Sequence, residues 1–128
     1  MSDASNRQSA KIARIWRGRT LPEKADAYQA YIYETGIKVL AVRALDVQMF
    51  REDRSLESEF VVISYWEDEA AMSRYAGPQA RQIHHLSRDA EFLIDLPSAV
   101  QVLRIVVADG DLGMRSKPDE ASSSALSG

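Results

Sequence analysis

The chain has 128 residues, room for one ordinary domain, and its 45% hydrophobic and 27% charged content is that of a soluble globular fold. Its 16 basic and 19 acidic residues are scattered, with a net charge of −3, so no clustered basic face for nucleic acid is predicted. No cysteine is present, which excludes disulfides, thiolate nucleophiles and cysteine-ligated zinc or iron–sulfur centres, and no apolar run approaches the ~18 residues that cross a bilayer.

Residues 1–10 read as a disordered N-terminus, residues 11–107 as one folded domain, and residues 108–128, ADGDLGMRSKPDEASSSALSG, as a flexible tail too polar to offset its own ordering entropy. The opening MSDASNRQS lacks the apolar stretch of a secretion signal, so a cytoplasmic location is the default expectation. The first predicted strand covers Lys11 to Gly18; Ile12, Arg14 and Trp16 share one face, and Ala13, Ile15 and Arg17 the other. A helix should follow, with Thr20 as its cap, Glu23 as the reciprocal partner and Pro22 in the first turn. Its inward stripe would be Ala25, Tyr28, Ile32 and Thr35, with Tyr31 alongside, and Gly36 is placed to end it in a left-handed turn.

The second strand is expected from Val42 to Phe50, with Leu45, Val47 and Met49 on one face, and Arg51 to Ser58 as its hairpin connection. Glu59 to Trp66, EFVVISYW, is the clearest strand: Phe60, Val62, Ser64 and Trp66 face one way, and Val61, Ile63 and Tyr65 the other. A second helix is predicted from Asp68 to Ala76, with Met72, Tyr75 and Ala76 inward and Gly77 as its stop. Pro78 can open a short helix reaching His85 or Leu86, Arg88 to Leu96 reads as a helical turn, and a last strand covers Ala99 to Val107.

The order strand–helix–strand–strand–helix–strand predicts an α+β fold, a ferredoxin-like βαββαβ domain with a four-stranded antiparallel sheet whose first and third strands lie in the middle. Helices would cover one face of that sheet. The other face would expose a patch of Val, Ile and Leu larger than a soluble monomer carries, so a sheet-to-sheet homodimer, a dimeric α/β barrel, is expected. A monomer with its tail folded over the sheet is the alternative.

The segment EFVVISYWEDEAAMSRYAG, Glu59 to Gly77, resembles the core motif of antibiotic-biosynthesis-monooxygenase-like domains: an apolar strand ending in Trp-Glu, a short helix with alanine and an aromatic, then glycine. IARIWRGRTLPEKADAYQAY and HHLSRDAEFLIDLP are similar to bacterial members, so the resemblance spans residues 11–107. It implies a dimeric α+β barrel and a cofactor-independent monooxygenase, in which a deprotonated aromatic or quinol-like substrate itself reacts with oxygen. In such enzymes a tryptophan, here Trp66, is accompanied by an asparagine four residues earlier and a tyrosine six later. This chain has Val62 and Met72 at those positions. Haem-degrading members imply another set: an aromatic, matched by Tyr75, and a histidine ten residues on, matched by His85, but the first strand lacks their asparagine.

The candidate catalytic residues are therefore His84, His85, Trp66 and Tyr75, with Arg14, Trp16, Tyr28 and Met72 as candidate substrate contacts. Histidine accepts a phenolic proton near neutral pH without unusual tuning. Adjacent histidines on a helix point about 100° apart, so at most one can face a pocket and no metal site built from both is expected. Arg14 either holds an anionic substrate from the helix side of the sheet or pairs with Asp46 on the other side. Trp66 and the tyrosines are also explained by core packing alone. Alongside the monooxygenase stand two other functions: a haem-binding or haem-degrading protein, with His85 a competent iron ligand, and a non-enzymatic dimeric module binding a small ligand.

Overall fold

The computed structural model describes residues 9–77, 85–97 and 99–108. Strand β1 (Ile12–Thr20) leads through a single 3-10 turn, Pro22–Lys24, into helix α1 (Ala25–Ile32), a π-helical turn (Tyr33–Ile37) and helix α2 (Lys38–Arg43). Strands β2 (Asp46–Asp53) and β3 (Ser58–Trp66) form a hairpin, followed by helices α3 (Glu69–Ala76) and α4 (Asp89–Phe92) and strand β4 (Gln101–Arg104).

The four strands form one antiparallel sheet in the order β2-β3-β1-β4, with β1 and β3 central as the pattern of apolar residues requires. β1 and β3 pair over nine residues, from Ile12 opposite Trp66 to Thr20 opposite Ser58. Because side chains alternate along a strand, this register puts the even-numbered residues of both strands on the helix-covered face. There Phe60, Val62 and Trp66 are buried with Ile12, Tyr28, Ile32, Leu40 and Met72 as the core. The opposite face carries Ile15, Val61, Ile63 and Tyr65, all half-buried, with Phe50 and Leu103 exposed at its edges.

Several local expectations fail, each for a physical reason. Thr20 does not cap a helix: it is the last residue of β1, fully buried, its hydroxyl has no hydrogen-bond partner among the described residues, and the turn begins at Leu21 without a side-chain cap. Gly36 does not end the helix. Downstream, Ile37, Leu40 and Ala44 recur at helical spacing and pack on the core, so the chain continues in a helical path through the π turn. The wider turn shifts the helical phase, leaving Thr35 exposed while Gly36 comes close to Leu86, to which an added Cβ would lie 3.4 Å away. Val42 is accordingly a helical residue, 81% exposed, rather than the start of a strand.

β2 extends to Asp53, shortening the expected connection to four residues, 54–57. Ser58 donates to Asp53 Oδ1 at 2.7 Å, and Arg54 bridges Glu52 and Glu57, so charged residues close the hairpin without leaving it. The last strand is shorter than expected, Gln101–Arg104. Other expectations hold. Asp68 caps α3 by accepting from Ala71 N at 2.9 Å, and Gly77 ends it at φ 88°, a conformation that costs glycine little and other residues more. The short helix expected after Pro78, together with His84 and nearly all of the C-terminal tail, lies outside the described residues.

Candidate functional site

Between the sheet and its helices lies a partly open cavity of ≈ 270 Å³. The sheet supplies its floor: Arg14 and Trp16 from β1, Val62 and Ser64 from β3, and Val100 just before β4. The walls come from Tyr28 and Ile32 of α1, Ile37 of the π turn, Leu40 of α2, Tyr75 of α3, and Leu86 and Asp89 at the start of α4. The even-numbered register of β1 thus settles the side of Arg14: it faces the helices and not Asp46, which pairs opposite Tyr65 on the other surface. Burial lowers the Arg14 pKa and the nearby Tyr75 opposes that shift; an arginine nevertheless keeps its charge.

The indole of Trp16 lies across Gly18, where an added Cβ would come within 2.5 Å of the ring, so this glycine makes room for the floor of the cavity. Trp16 also leans towards Tyr28, with ring centroids 6.4 Å apart. Tyr28 is fully buried, with Phe60 edge-on at 5.4 Å and Phe92 at 5.3 Å, and its hydroxyl donates to Asp89 Oδ1 at 3.0 Å. Asp89 is itself buried. Leu86 N–H donates to Asp89 Oδ2 at 2.9 Å while Asp89 N–H donates to the Leu86 carbonyl, a reciprocal bracket that fixes the carboxylate at the start of α4. Asp89 stands in a polar stretch of sequence, yet it is only 3% exposed.

Burial first, then the charge of Asp89 and the hydrogen bond to it, push the Tyr28 pKa far above the usual phenol range. The unfolded chain releases this proton near pH ~10, whereas the folded chain holds it, so the contribution is intact below that pH and declines as pH rises. In a tyrosine absorbance titration Tyr28 is expected to ionise only on unfolding, and Tyr28→Phe should flatten the alkaline loss of stability. An alkaline limb unchanged in Tyr28→Phe would contradict this.

The other sequence candidates divide. Tyr75 lines the cavity and stacks on Trp66 at 5.4 Å and 29°. Trp66 does not line it: the ring is 2% exposed beneath Tyr75, and its Nε1–H donates to Ser64 Oγ at 2.9 Å, so it supports two lining residues. Met72 is core, 2% exposed, and also does not line the cavity. His85 lies outside the lining, with Nδ1 3.9 Å from Asp89 Oδ2, at the solvent side of the buried acid. Among the described residues no histidine lines the cavity to ligate a haem iron. Among the described residues no cluster of three or more His, Asp or Glu is placed to hold a metal, and no helix is long and apolar enough to cross a membrane.

Ser64 and Asp89 are the polar lining residues that the sequence analysis did not select. Ser64 carried a signal, as a polar residue set between Val62 and Trp66 on the buried face of β3.

No protein-family model matches the chain, and no match is found among curated proteins. Among solved structures it is similar to a candidate antibiotic biosynthesis monooxygenase from Bacillus cereus, with a TM-score of 0.56 and 13% identity, over 77% of this chain and 96% of that one. At that identity the likeness establishes the fold alone: an α+β, ferredoxin-like domain with one four-stranded antiparallel sheet.

Proposed function

We propose that this chain, which shares its fold with a candidate antibiotic biosynthesis monooxygenase, is a small cofactor-independent monooxygenase acting on a hydroxylated aromatic, quinol-like molecule. One observation carries the reading: a half-buried guanidinium, Arg14, sits in the floor of a cavity walled largely by aromatic and aliphatic side chains. Such a cavity takes a flat apolar ring, and the cation stabilises the oxyanion formed when the ring loses a hydroxyl proton. The electron-rich anion then reduces oxygen directly. For a phenol with hydrogen para to its hydroxyl, one oxygen atom becomes the new quinone carbonyl. The other leaves as water with two substrate hydrogens, and the ring supplies all four electrons. Tyr75 and Asp89, both in the lining, are the proton-handling groups in reach of the cavity. The test is oxygen uptake by the purified protein with a panel of mono- and dihydric phenols. Consumption above the buffer rate, with quinone appearing mole for mole, is expected; uptake no faster than buffer across the panel removes the reading.

We further infer that two chains pair through the uncovered sheet face. Ile15 and Ile63 are opposite each other there, flanked by Val61, Phe50 and Leu103. Each such side chain contributes roughly 1.5–3 kcal/mol when fully buried, enough in combination to drive association. The expected result is a dimer in sedimentation at micromolar concentration and a monomer for Ile63→Asp. A wild-type chain that sediments alone would end this proposal.

A further inference from the structure

The cavity has two poles of opposite polarity, one in the sheet and one in the helical layer. Arg14 and Ser64 are direct partners in the β1–β3 register, and both line the cavity. Opposed residues of an antiparallel pair hold their Cβ atoms roughly 4.5–5.5 Å apart, so the guanidinium and the hydroxyl arise from one spot on an otherwise apolar floor. Trp66 Nε1–H occupies a lone pair of Ser64 Oγ, which directs the serine to act as donor with its own hydrogen. The floor therefore presents donors and positive charge. The wall presents the reverse. Asp89 is a buried carboxylate whose two oxygens each accept one hydrogen bond, from Tyr28 and from Leu86, and a carboxylate has about four acceptor positions.

We propose that the cavity recognises a singly ionised dihydroxyaromatic by two oxygens: the ionised one on Arg14 and Ser64, and the second, still protonated, donating to Asp89. This rests on the reading of the cavity as the site of a quinol-like substrate and assigns the residues that hold each of its two oxygens. It also assigns a chemical purpose to the polarity. Arg14 favours the first ionisation, while the negative charge of Asp89 opposes the second, so the bound ring is held as a monoanion. Asp89 thereby becomes a specificity-determining residue, and Ser64 a second oxyanion donor.

Equilibrium titration under nitrogen tests this without oxygen chemistry. The probes are 4-nitrocatechol and 4-nitrophenol, whose absorption reports ionisation and which differ only in the second hydroxyl. The wild-type protein should bind 4-nitrocatechol roughly 10- to 100-fold more tightly, as a hydrogen bond to a charged acceptor implies. Asp89→Ala should reduce that ratio to near one. Ser64→Ala should weaken both probes by a similar factor and leave the ratio standing. Equal wild-type affinities overturn the proposal even if Asp89→Ala does not fold, as does a ratio that survives Asp89→Ala or a failure of both probes to bind. Discrimination by Asp89 together with no oxygen uptake from any phenol upholds the two-pole recognition and removes only the catalytic reading.

Discussion

Arg14→Met is expected to lower turnover of the best phenol substrate by roughly 10²- to 10³-fold, the usual consequence of deleting an oxyanion-stabilising donor, while the protein stays folded. The loss should appear in kcat/KM, because Arg14 holds the ionised oxygen in the bound monoanion and as the ring passes electrons to oxygen. The fold should tolerate the change. Burial already works against the charged form of Arg14, and methionine replaces its apolar stem with no charge to desolvate. Oxygen uptake and thermal unfolding measured on the same preparation check both halves. Turnover within twofold of wild type would separate Arg14 from the chemistry, and a collapse in thermal stability would make its role structural.

Trp66→Ala should be the most damaging single core substitution. The indole is 2% exposed, stacks on Tyr75 and donates to Ser64, so truncation opens a large cavity and frees two lining residues at once. Such truncations cost about 3–5 kcal/mol, a large share of the roughly 5–15 kcal/mol that holds a domain of this size together. A fall in Tm of about 12 °C or more is expected, at roughly 4–8 °C per kcal/mol. Trp66→Phe keeps a ring on Tyr75 and loses the hydrogen bond and part of the indole's volume, so it should cost less than Trp66→Ala. Turnover that survives in Trp66→Phe would place Trp66 beneath the reaction and not in it. A mild Trp66→Ala phenotype in chemical and thermal denaturation would contradict the packing argument.

Strand alternation carries far because it is local and periodic. EFVVISYW read as a strand with two apolar faces, and that alone placed Val62, Ser64 and Trp66 together, required central positions for β1 and β3, and implied cover on both sides. The same alternation put Arg14 and Trp16 on one face. The start of α3 at Asp68 and its end at Gly77 were equally legible, since a capping carboxylate and a positive φ are demands of single residues.

What the tertiary structure decided is whatever depends on two distant segments meeting. Thr20 has the chemistry of a cap, but pairing along β1 claimed it first. Gly36 could have ended a helix, yet it serves as the close approach to Leu86, fifty residues on, and the helix runs past it. Whether Arg14 met Asp46 or the cavity turned on the register with β3, and no pattern within β1 contains that register. Asp89 and Ser64 escaped selection for the same reason: an aspartate in a polar stretch and a serine in a strand look ordinary until Tyr28 buries the one and Trp66 orients the other. Local sequence states which conformation a segment can adopt and which face is apolar; the charge and hydrogen-bonding of a site belong to pairs of residues, and only the folded chain brings those pairs together.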